Sequence, residues 1–310
     1  MPFSSLIHHI TAITGNAQRN VWFYTKVLGL RLVKLTVNFD DPFTYHLYYG
    51  NAQGEPGTLL TFFVWEFLNR GLVGAGAVTA IAFSVPLGAL SFWEKRLQKE
   101  EQSGLKTCVR FGEKILVFKD PDGLILELVE TDHDIRMPWK TDEIPEGFAI
   151  RGFQGATLSL NQGEETEKLI SHVFQLHKQE EEENRIRYGG KAELSGTGLD
   201  LCIDPALLPA HQGRGSVHHL AFRTENRATQ SSFQDKLIDW GLQVTPPINR
   251  NYFYSIYFRE PGQILFEIAT DPPGFTIDEP LEKLGLSLKL PPQYEGMRSE
   301  IENHLPKLAL

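Results

Sequence analysis

Hydrophobic and polar positions along the chain repeat one pattern about four times. Residues 7–14 alternate as a strand does, and Asn16 stands where the N-cap of a helix is expected. The helix that follows has apolar residues at helical spacing and a closing glycine: Val21, Tyr24, Val27 and Gly29. Three strand-like runs complete the unit before residue 65, so its predicted order is βαβββ.

Three further stretches show the same predicted order of elements: residues 76–130, 151–203 and 215–270. The helix of the last copy is predicted from apolar residues and a closing glycine: Phe233, Leu237, Ile238 and Gly241. A proline turn precedes the final strand of copies one, two and four, at Glu55-Pro56-Gly57, Asp120-Pro121-Asp122-Gly123 and Glu260-Pro261-Gly262. Copy three lacks this turn.

A single βαβββ unit leaves a curved sheet with two open edges, and pairing two units closes those edges around a cavity. The sequence therefore predicts an α+β fold of four βαβββ modules paired into two half-barrels. Residues 1–130 are predicted to form the N-terminal half, with modules one and two, and residues 151–270 the C-terminal half, with modules three and four. Residues 131–150 are predicted to be a linker, and residues 271–310 a C-terminal tail.

Composition excludes several classes of protein. The 310 residues carry a net charge of -9 with no basic stripe, so a nucleic-acid partner is not expected. Cys108 and Cys202 are the two cysteines, which excludes a cysteine-ligated zinc or iron-sulfur site and is typical of a cytoplasmic protein. The N-terminus does not have the pattern of a signal peptide, and no apolar run reaches the roughly 18 residues of a membrane span, so neither export nor membrane insertion is expected.

Two histidine pairs open equivalent strands, His8-His9 in copy one and His218-His219 in copy four. Neighbours on a strand face opposite sides, so at most one histidine of each pair is expected to face a shared cavity. The alignment makes His9 equivalent to His219, and His8 equivalent to His218. The same positions of copies two and three carry no histidine: Thr79-Ala80 and, approximately, Gly155-Ala156. A lone histidine on a strand is usually structural, but two pairs at equivalent positions favour a site.

A buried carboxylate is predicted at Glu267, which lies between apolar residues six positions after Pro261. Such a group needs a cation, a hydrogen-bond donor or a proton. Glu127 lies six positions after Pro121, at the same structural position in copy two, but its own module has no histidine. We therefore interpret Glu127 as structural and Glu267 as functional.

His9, His219 and Glu267 make the two-histidine, one-carboxylate set that leaves open positions on a non-haem Fe(II). The corresponding position of copy one is Phe62, six residues beyond Pro56, or Thr61 with a one-residue slip. Neither is a carboxylate. An isomerase with four protein ligands would need Glu or Gln there, so this position favours chemistry with O₂ or a chelating substrate.

Polar side chains near the last hairpin of copy four are candidates for contacting a substrate. Tyr252 and Tyr254 alternate on a strand, and tyrosines in that pattern usually pack. Tyr257 lies ten residues before Glu267 across a hairpin, where its phenol can donate to a bound oxygen. Arg250 can hold an anionic oxygen.

The chain resembles the vicinal-oxygen-chelate superfamily and, within it, the bacterial ring-cleaving dioxygenases that act on hydroquinone and methylhydroquinone. The segments that carry the resemblance are Leu-Ile-His-His-Ile-Thr near the N-terminus, Tyr-His-Leu-Tyr-Tyr at 45–49, Val-His-His-Leu-Ala-Phe at 217–222, and the series Arg250, Tyr257 and Glu267. The resemblance covers nearly the whole chain.

The resemblance implies an Fe(II) enzyme that acts on a small aromatic substrate with O₂, and it allows a homo-oligomer. The implied iron ligands are His9, His219 and Glu267. Residues around them would be, by the same resemblance, His8, Thr11, His218, Arg250 and Tyr257. The commoner extradiol enzymes take their ligands from modules three and four, but module three has no histidine here, so modules one and four are expected to pair.

Two other functions remain open at this stage. An isomerase or thiol transferase of the same fold would use zinc, nickel or manganese, and Phe62 disfavours it. A metal-free protein that sequesters a drug-like ligand in the same cavity should lack the three candidate metal ligands. Bound-metal analysis and O₂ uptake distinguish these functions from a dioxygenase.

Overall fold

A computed structural model describes residues 6–190 and 198–310, which form four βαβββ modules and a C-terminal tail. Module one consists of β1 (Ile7–Thr14), α1 (Ala17–Trp22) with a π-helical turn (Phe23–Val27), β2 (Arg31–Val37), β3 (Tyr45–Gly50) and β4 (Leu59–Val64). Module two consists of β5 (Ala77–Pro86), α2 (Leu90–Lys99), β6 (Lys106–Arg110), β7 (Glu113–Lys119) and β8 (Ile125–Thr131).

Module three consists of β9 (Gly152–Leu160), α3 (Glu164–His172), β10 (His177–Glu182), β11 (Arg185–Gly189) and β12 (Gly198–Ile203). Module four consists of β13 (Val217–Thr224), α4 (Arg227–Asp239), β14 (Ile248–Asn249), β15 (Tyr254–Arg259) and β16 (Leu265–Thr270). The tail contains short 3₁₀ helices and one α-helix: Phe275–Ile277, Leu281–Lys283, Pro292–Met297 and α5 (Arg298–His304). No helix in the described ranges is long and apolar enough to cross a membrane.

The strands form two curled sheets of eight strands, each built from two modules. One sheet has the order β14-β15-β16-β13-β1-β4-β3-β2 and so pairs module four with module one. The other has the order β10-β11-β12-β9-β5-β8-β7-β6 and pairs module three with module two. The predicted fold class and the pairing of modules one and four are confirmed. Each sheet takes one module from either side of the predicted linker.

Helix-facing residues of each module fill the core between sheet and helix. Asn16 caps α1 by accepting a hydrogen bond from the backbone N–H of Arg19 at 2.8 Å, as the sequence predicts. In α4, Phe233 and Leu237 are buried, but Ile238 is 52% exposed. The prediction for Ile238 is wrong because it follows Leu237 directly and is therefore rotated by about 100° away from the buried face.

Two β-bulges interrupt the seam between β1 and β13. Partners along this antiparallel pair shift by one residue between Ile7 and His9, and again between Thr11 and Ala12. His8 and His218 are the extra residues at the two shifts. A bulge breaks the strict alternation of side chains along a strand, so these two histidines do not have to point away from their neighbours.

The proline turn of module two ties this module to module one. Asp120 accepts hydrogen bonds from the backbone N–H groups of Asp122 and Leu124, and from the hydroxyl of Tyr24 at 3.1 Å. Asp122 accepts a hydrogen bond from the hydroxyl of Thr14 at 2.6 Å. Because Asp120 is buried, desolvation raises its pKa to about 6.

The raised pKa of Asp120 predicts that this residue costs stability as the pH rises. The folded state binds the proton more tightly than the unfolded chain, where the pKa is 3.8, so stability falls through the interval between the two values. The shift corresponds to about 3 kcal/mol. Asp120→Asn keeps an acceptor oxygen and does not titrate. The free energy of unfolding of Asp120→Asn, measured in urea, should therefore rise relative to that of wild type by about 3 kcal/mol between about pH 4 and pH 7. A difference between variant and wild type that stays constant over this pH range would contradict the raised pKa of Asp120.

Candidate metal centre

Three potential ligand atoms converge on the concave face of the sheet that joins modules one and four. His9 on β1 and His219 on β13 place their Nε2 atoms 3.2 Å apart. Glu267 on β16 places Oε2 2.9 Å from Nε2 of His219 and 3.4 Å from Nε2 of His9. All three residues are buried. In the described part of the chain, no other group of His, Cys, Asp or Glu side chains lies close enough together to hold a metal ion.

The strand register explains why these residues meet. Glu267 lies beside Ala221 in the parallel pair of β16 and β13, two residues from His219. His219 lies opposite Thr11 across the β1–β13 seam, two residues from His9. Residues two apart on a strand share a face, so all three side chains reach the same side of the sheet.

The chemistry of these residues fits a divalent metal. Oε1 of Glu267 accepts a hydrogen bond from Ser255, but buried Oε2 accepts none among the described residues. Burial acts to raise the pKa of Glu267, yet the facing imidazoles of His9 and His219 outweigh it and hold this pKa well below the usual range. A buried carboxylate oxygen with no donor needs a cation, and two imidazoles with one carboxylate suit a first-row transition metal.

The second histidine of each pair contacts the first through ring nitrogens. Nδ1 of His8 lies 2.9 Å from Nδ1 of His9, and Nδ1 of His218 lies 2.8 Å from Nδ1 of His219. Desolvation lowers the pKa of His8 and takes that of His218 to about 3, so the rings are neutral. These contacts leave the Nε2 atoms of His9 and His219 directed at the shared centre.

His218, as well as His219, lines the cavity above this centre, whereas His8 does not. The expectation that at most one histidine of each pair faces the cavity is therefore wrong for the second pair. The β-bulge at His218 is the physical reason, since it removes the alternation on which that expectation depends.

Thr61, not Phe62, occupies the position in module one that corresponds to Glu267. Thr61 lies beside Thr11 in the parallel pair of β4 and β1, and the two hydroxyl oxygens are 2.8 Å apart. Phe62 faces the helix side and packs its ring against Tyr24. The one-residue slip is therefore the correct register, and the conclusion that module one offers no carboxylate still holds.

The sheet of modules two and three carries ion pairs at the corresponding positions. Glu127 is buried and receives two hydrogen bonds of 3.0 Å from Arg110. In module three the residue that corresponds to Glu267 is Asp200, which pairs with Arg187 at 2.7 Å. The structural interpretation of Glu127 agrees with this geometry.

Module three places Gln154 and Gly155 at the histidine positions, one residue earlier than the approximate alignment with Gly155-Ala156. The register shows this, because Asp200 lies beside Thr157, just as Glu267 lies beside Ala221. Module three lacks the proline turn, so the sequence alone could not settle its alignment to a single residue.

A cavity of about 440 Å³ opens above the three candidate ligands. Phe63 lines the cavity, stacked on Trp65 with 5.0 Å between ring centroids and edge-on to His218 at 5.2 Å. Phe253 packs against the ring of His9 at 5.0 Å. The size and the aromatic walls suit a flat aromatic molecule.

Arg250 and Tyr257 of module four also line the cavity. Nε of Arg250 donates a hydrogen bond to the Tyr257 hydroxyl at 3.3 Å, and Nη1 of Arg250 pairs with Asp40 at 3.1 Å. Burial raises the pKa of Tyr257, so its phenol stays protonated. Tyr252 packs in the core and donates to Asp278 at 2.9 Å, as expected for a structural tyrosine.

Comparisons with known proteins give the family. Residues 6–65 match the Glyoxalase/Bleomycin resistance protein/Dioxygenase superfamily. A Bacillus subtilis (strain 168) protein named as a candidate ring-cleaving dioxygenase, MhqO, is 47% identical over 96% of this chain and 95% of its own. This chain belongs to that superfamily.

Other members of the superfamily show how far the similarity extends. The chlorohydroquinone/hydroquinone 1,2-dioxygenase of Sphingobium indicum is 39% identical over 95% of this chain and 94% of its own. A solved Bacillus subtilis structure, described as a candidate dioxygenase, superposes with a TM-score of 0.94 at 45% identity and covers 98% of both chains. Glyoxalase I of Zea mays, at 13% identity and a TM-score of 0.63, covers 86% of this chain and 92% of its own, and shares the fold.

Several cavity residues were missed by the sequence reasoning. His46 and Tyr48 line the cavity, and Asp40 reaches its rim. The segment 45–49 carried part of the family resemblance, but alternation alone does not say which of its residues face the site. Only the register of β3 against β4 places His46 and Tyr48 there.

Proposed function

We propose that this protein is an Fe(II)-dependent ring-cleaving dioxygenase that opens hydroquinone-type (para-diol) rings with O₂. The observation that carries the proposal is the convergence of His9, His219 and Glu267 beside a position where Thr61 offers no fourth ligand. The aromatic cavity above them and the relatives named as ring-cleaving and hydroquinone dioxygenases support the same reaction class.

The proposed ligands are His9, His219 and Glu267. When bound, Fe(II) supplies the redox chemistry between the diol and O₂ and lowers the pKa of a diol hydroxyl. The protein supplies the rest by holding the ring against Phe63, and by keeping water from the site.

The polar residues of the cavity have separate proposed roles. Arg250 stabilises negative charge on the substrate oxygen beside it, because its guanidinium stays charged and is partly desolvated. Tyr257 donates a hydrogen bond to that oxygen. His218 exchanges a proton with the diol through the ring nitrogen that does not contact His219. His8 and Thr11 position their neighbours, His8 by its contact with His9 and Thr11 by its contact with Thr61.

The proposal predicts one Fe(II) per chain and O₂ consumption with hydroquinones. The measurement is elemental analysis of protein loaded anaerobically with iron, followed by an oxygen-electrode screen of hydroquinone, methylhydroquinone and catechol. We expect O₂ uptake with the first two, loss of activity with an iron chelator, and recovery on adding Fe(II). Stoichiometric zinc with full activity would overturn the iron assignment.

The same screen tests the two other functions. An isomerase would be active with zinc, nickel or manganese and consume no O₂. A ligand-sequestering protein would bind hydroquinones without metal and without turnover. Either result would remove the dioxygenase proposal.

A further inference from the structure

The metal-site sheet has an approximate two-fold symmetry that relates module one to module four. Tyr257 lies opposite Glu267 in the antiparallel pair of β15 and β16. Tyr48 lies opposite Thr61 in the antiparallel pair of β3 and β4. Because Thr61 and Glu267 are equivalent, Tyr48 and Tyr257 are equivalent too. Both line the cavity, and their strands, β15 and β3, lie on opposite sides of the β13–β1 seam in the strand order.

The surroundings of these two phenols differ in hydrogen-bond direction. The Tyr257 oxygen accepts a hydrogen bond from Nε of Arg250, so its own O–H acts as a donor. Tyr48 instead lies 3.0 Å from Nδ1 of His46. Burial lowers the pKa of His46 far below its usual value, so its ring is neutral and one nitrogen is an acceptor.

A chain of hydrogen bonds sets the direction at Tyr48. Nε2 of His46 lies 2.9 Å from the hydroxyl of Thr61, which contacts the hydroxyl of Thr11 at 2.8 Å. A phenol is a stronger acid than a neutral imidazole N–H, and an imidazole nitrogen is the stronger acceptor, so the Tyr48 O–H donates to Nδ1 of His46 and the Nε2–H donates to Thr61. The lone pairs of the Tyr48 oxygen therefore remain as an acceptor toward the cavity.

We propose that Tyr48, positioned by His46, accepts a hydrogen bond from the second hydroxyl of the para-diol and is a specificity-determining residue. This inference rests on the proposed function. A hydroquinone that has lost one proton carries an anionic oxygen at one end and a hydroxyl at the other. Arg250 with the Tyr257 O–H matches the anionic end, and the Tyr48 oxygen matches the hydroxyl end.

The test compares two ligands that differ by one hydroxyl, hydroquinone and phenol. Their dissociation constants are measured by anaerobic titration calorimetry on the iron-loaded protein, so no turnover is needed. In wild type, hydroquinone should bind more tightly than phenol. Tyr48→Phe should weaken hydroquinone binding by about tenfold and leave phenol binding within about twofold, as expected for one lost hydrogen bond.

Tyr257→Phe is the matched control, since it removes the equivalent phenol of module four. This variant should weaken the binding of hydroquinone and of phenol by similar factors, because both ligands have the oxygen to which the Tyr257 hydroxyl donates. His46 gives a second pair of variants: His46→Gln retains an acceptor for the Tyr48 O–H and should keep most of the discrimination, whereas His46→Leu should lose it.

Equal weakening of both ligands in Tyr48→Phe, or no weakening of either, would overturn the role of Tyr48. If Tyr48→Phe does not fold, the His46 pair decides, and equal discrimination in Gln and Leu variants would overturn it as well. Failure of the proposed function is a separate result, namely no O₂ uptake by wild type with any hydroquinone. It does not alter the binding comparison.

Discussion

Glu267→Gln is expected to abolish metal binding, while Glu127→Gln leaves metal binding and turnover nearly unchanged. Glu267 provides one of three candidate ligand atoms, and its Oε2 accepts no hydrogen bond from the described residues. Glu267 is the one anionic residue of the three, and a neutral amide in its place no longer balances the charge of Fe(II). Glu127 occupies the equivalent position in the other sheet, where both its oxygens accept hydrogen bonds from Arg110.

The stability of the metal-free proteins provides the independent measurement. Glu127→Gln breaks a largely buried ion pair and should lower the free energy of unfolding by about 1 to 3 kcal/mol. Glu267→Gln removes the carboxylate whose ionised form is stabilised by the imidazoles of His9 and His219, so its metal-free form should be less stable than metal-free wild type at neutral pH. Iron content and urea unfolding of both variants test this, and equal loss of iron in both would show that the assignment of the two sheets is wrong.

The second large effect is expected from the histidine pairs. His9→Ala and His219→Ala should each lose iron outright, because each removes one of the three proposed protein ligands. His218→Ala should retain iron and lose turnover by about 10²- to 10⁴-fold, as is typical of a missing acid-base group. His8→Ala should retain iron when iron is in excess, and lose about 10- to 100-fold in metal affinity or activity, because His8 holds the ring of His9.

Iron content beside O₂ consumption with methylhydroquinone separates these outcomes for the four variants. Loss of iron in His8→Ala with retention in His9→Ala would reverse the roles within that pair. Retention of both iron and activity in all four would mean that the histidines only pack on their strands.

The repeat in the sequence determined the architecture and the candidate ligands. Hydrophobic periodicity follows from which face of a strand or helix is buried, so four similar patterns predicted four similar modules. Counting from the prolines of two equivalent turns placed Glu127 and Glu267 in one structural position, and the matching histidine pairs indicated that modules one and four face one another. These inferences depend only on the spacing of residues along the chain, and that spacing can be read directly from the sequence.

The tertiary structure decided which neighbouring residues share a face and which charges meet. The bulges at His8 and His218 arise from pairing between strands about 210 residues apart, and no local pattern shows them. The choice of Thr61 over Phe62 depends on the register of β4 against β1. His46 and Tyr48 became candidates only through the register of β3 against β4, because alternation along a strand does not say which of its faces meets the site.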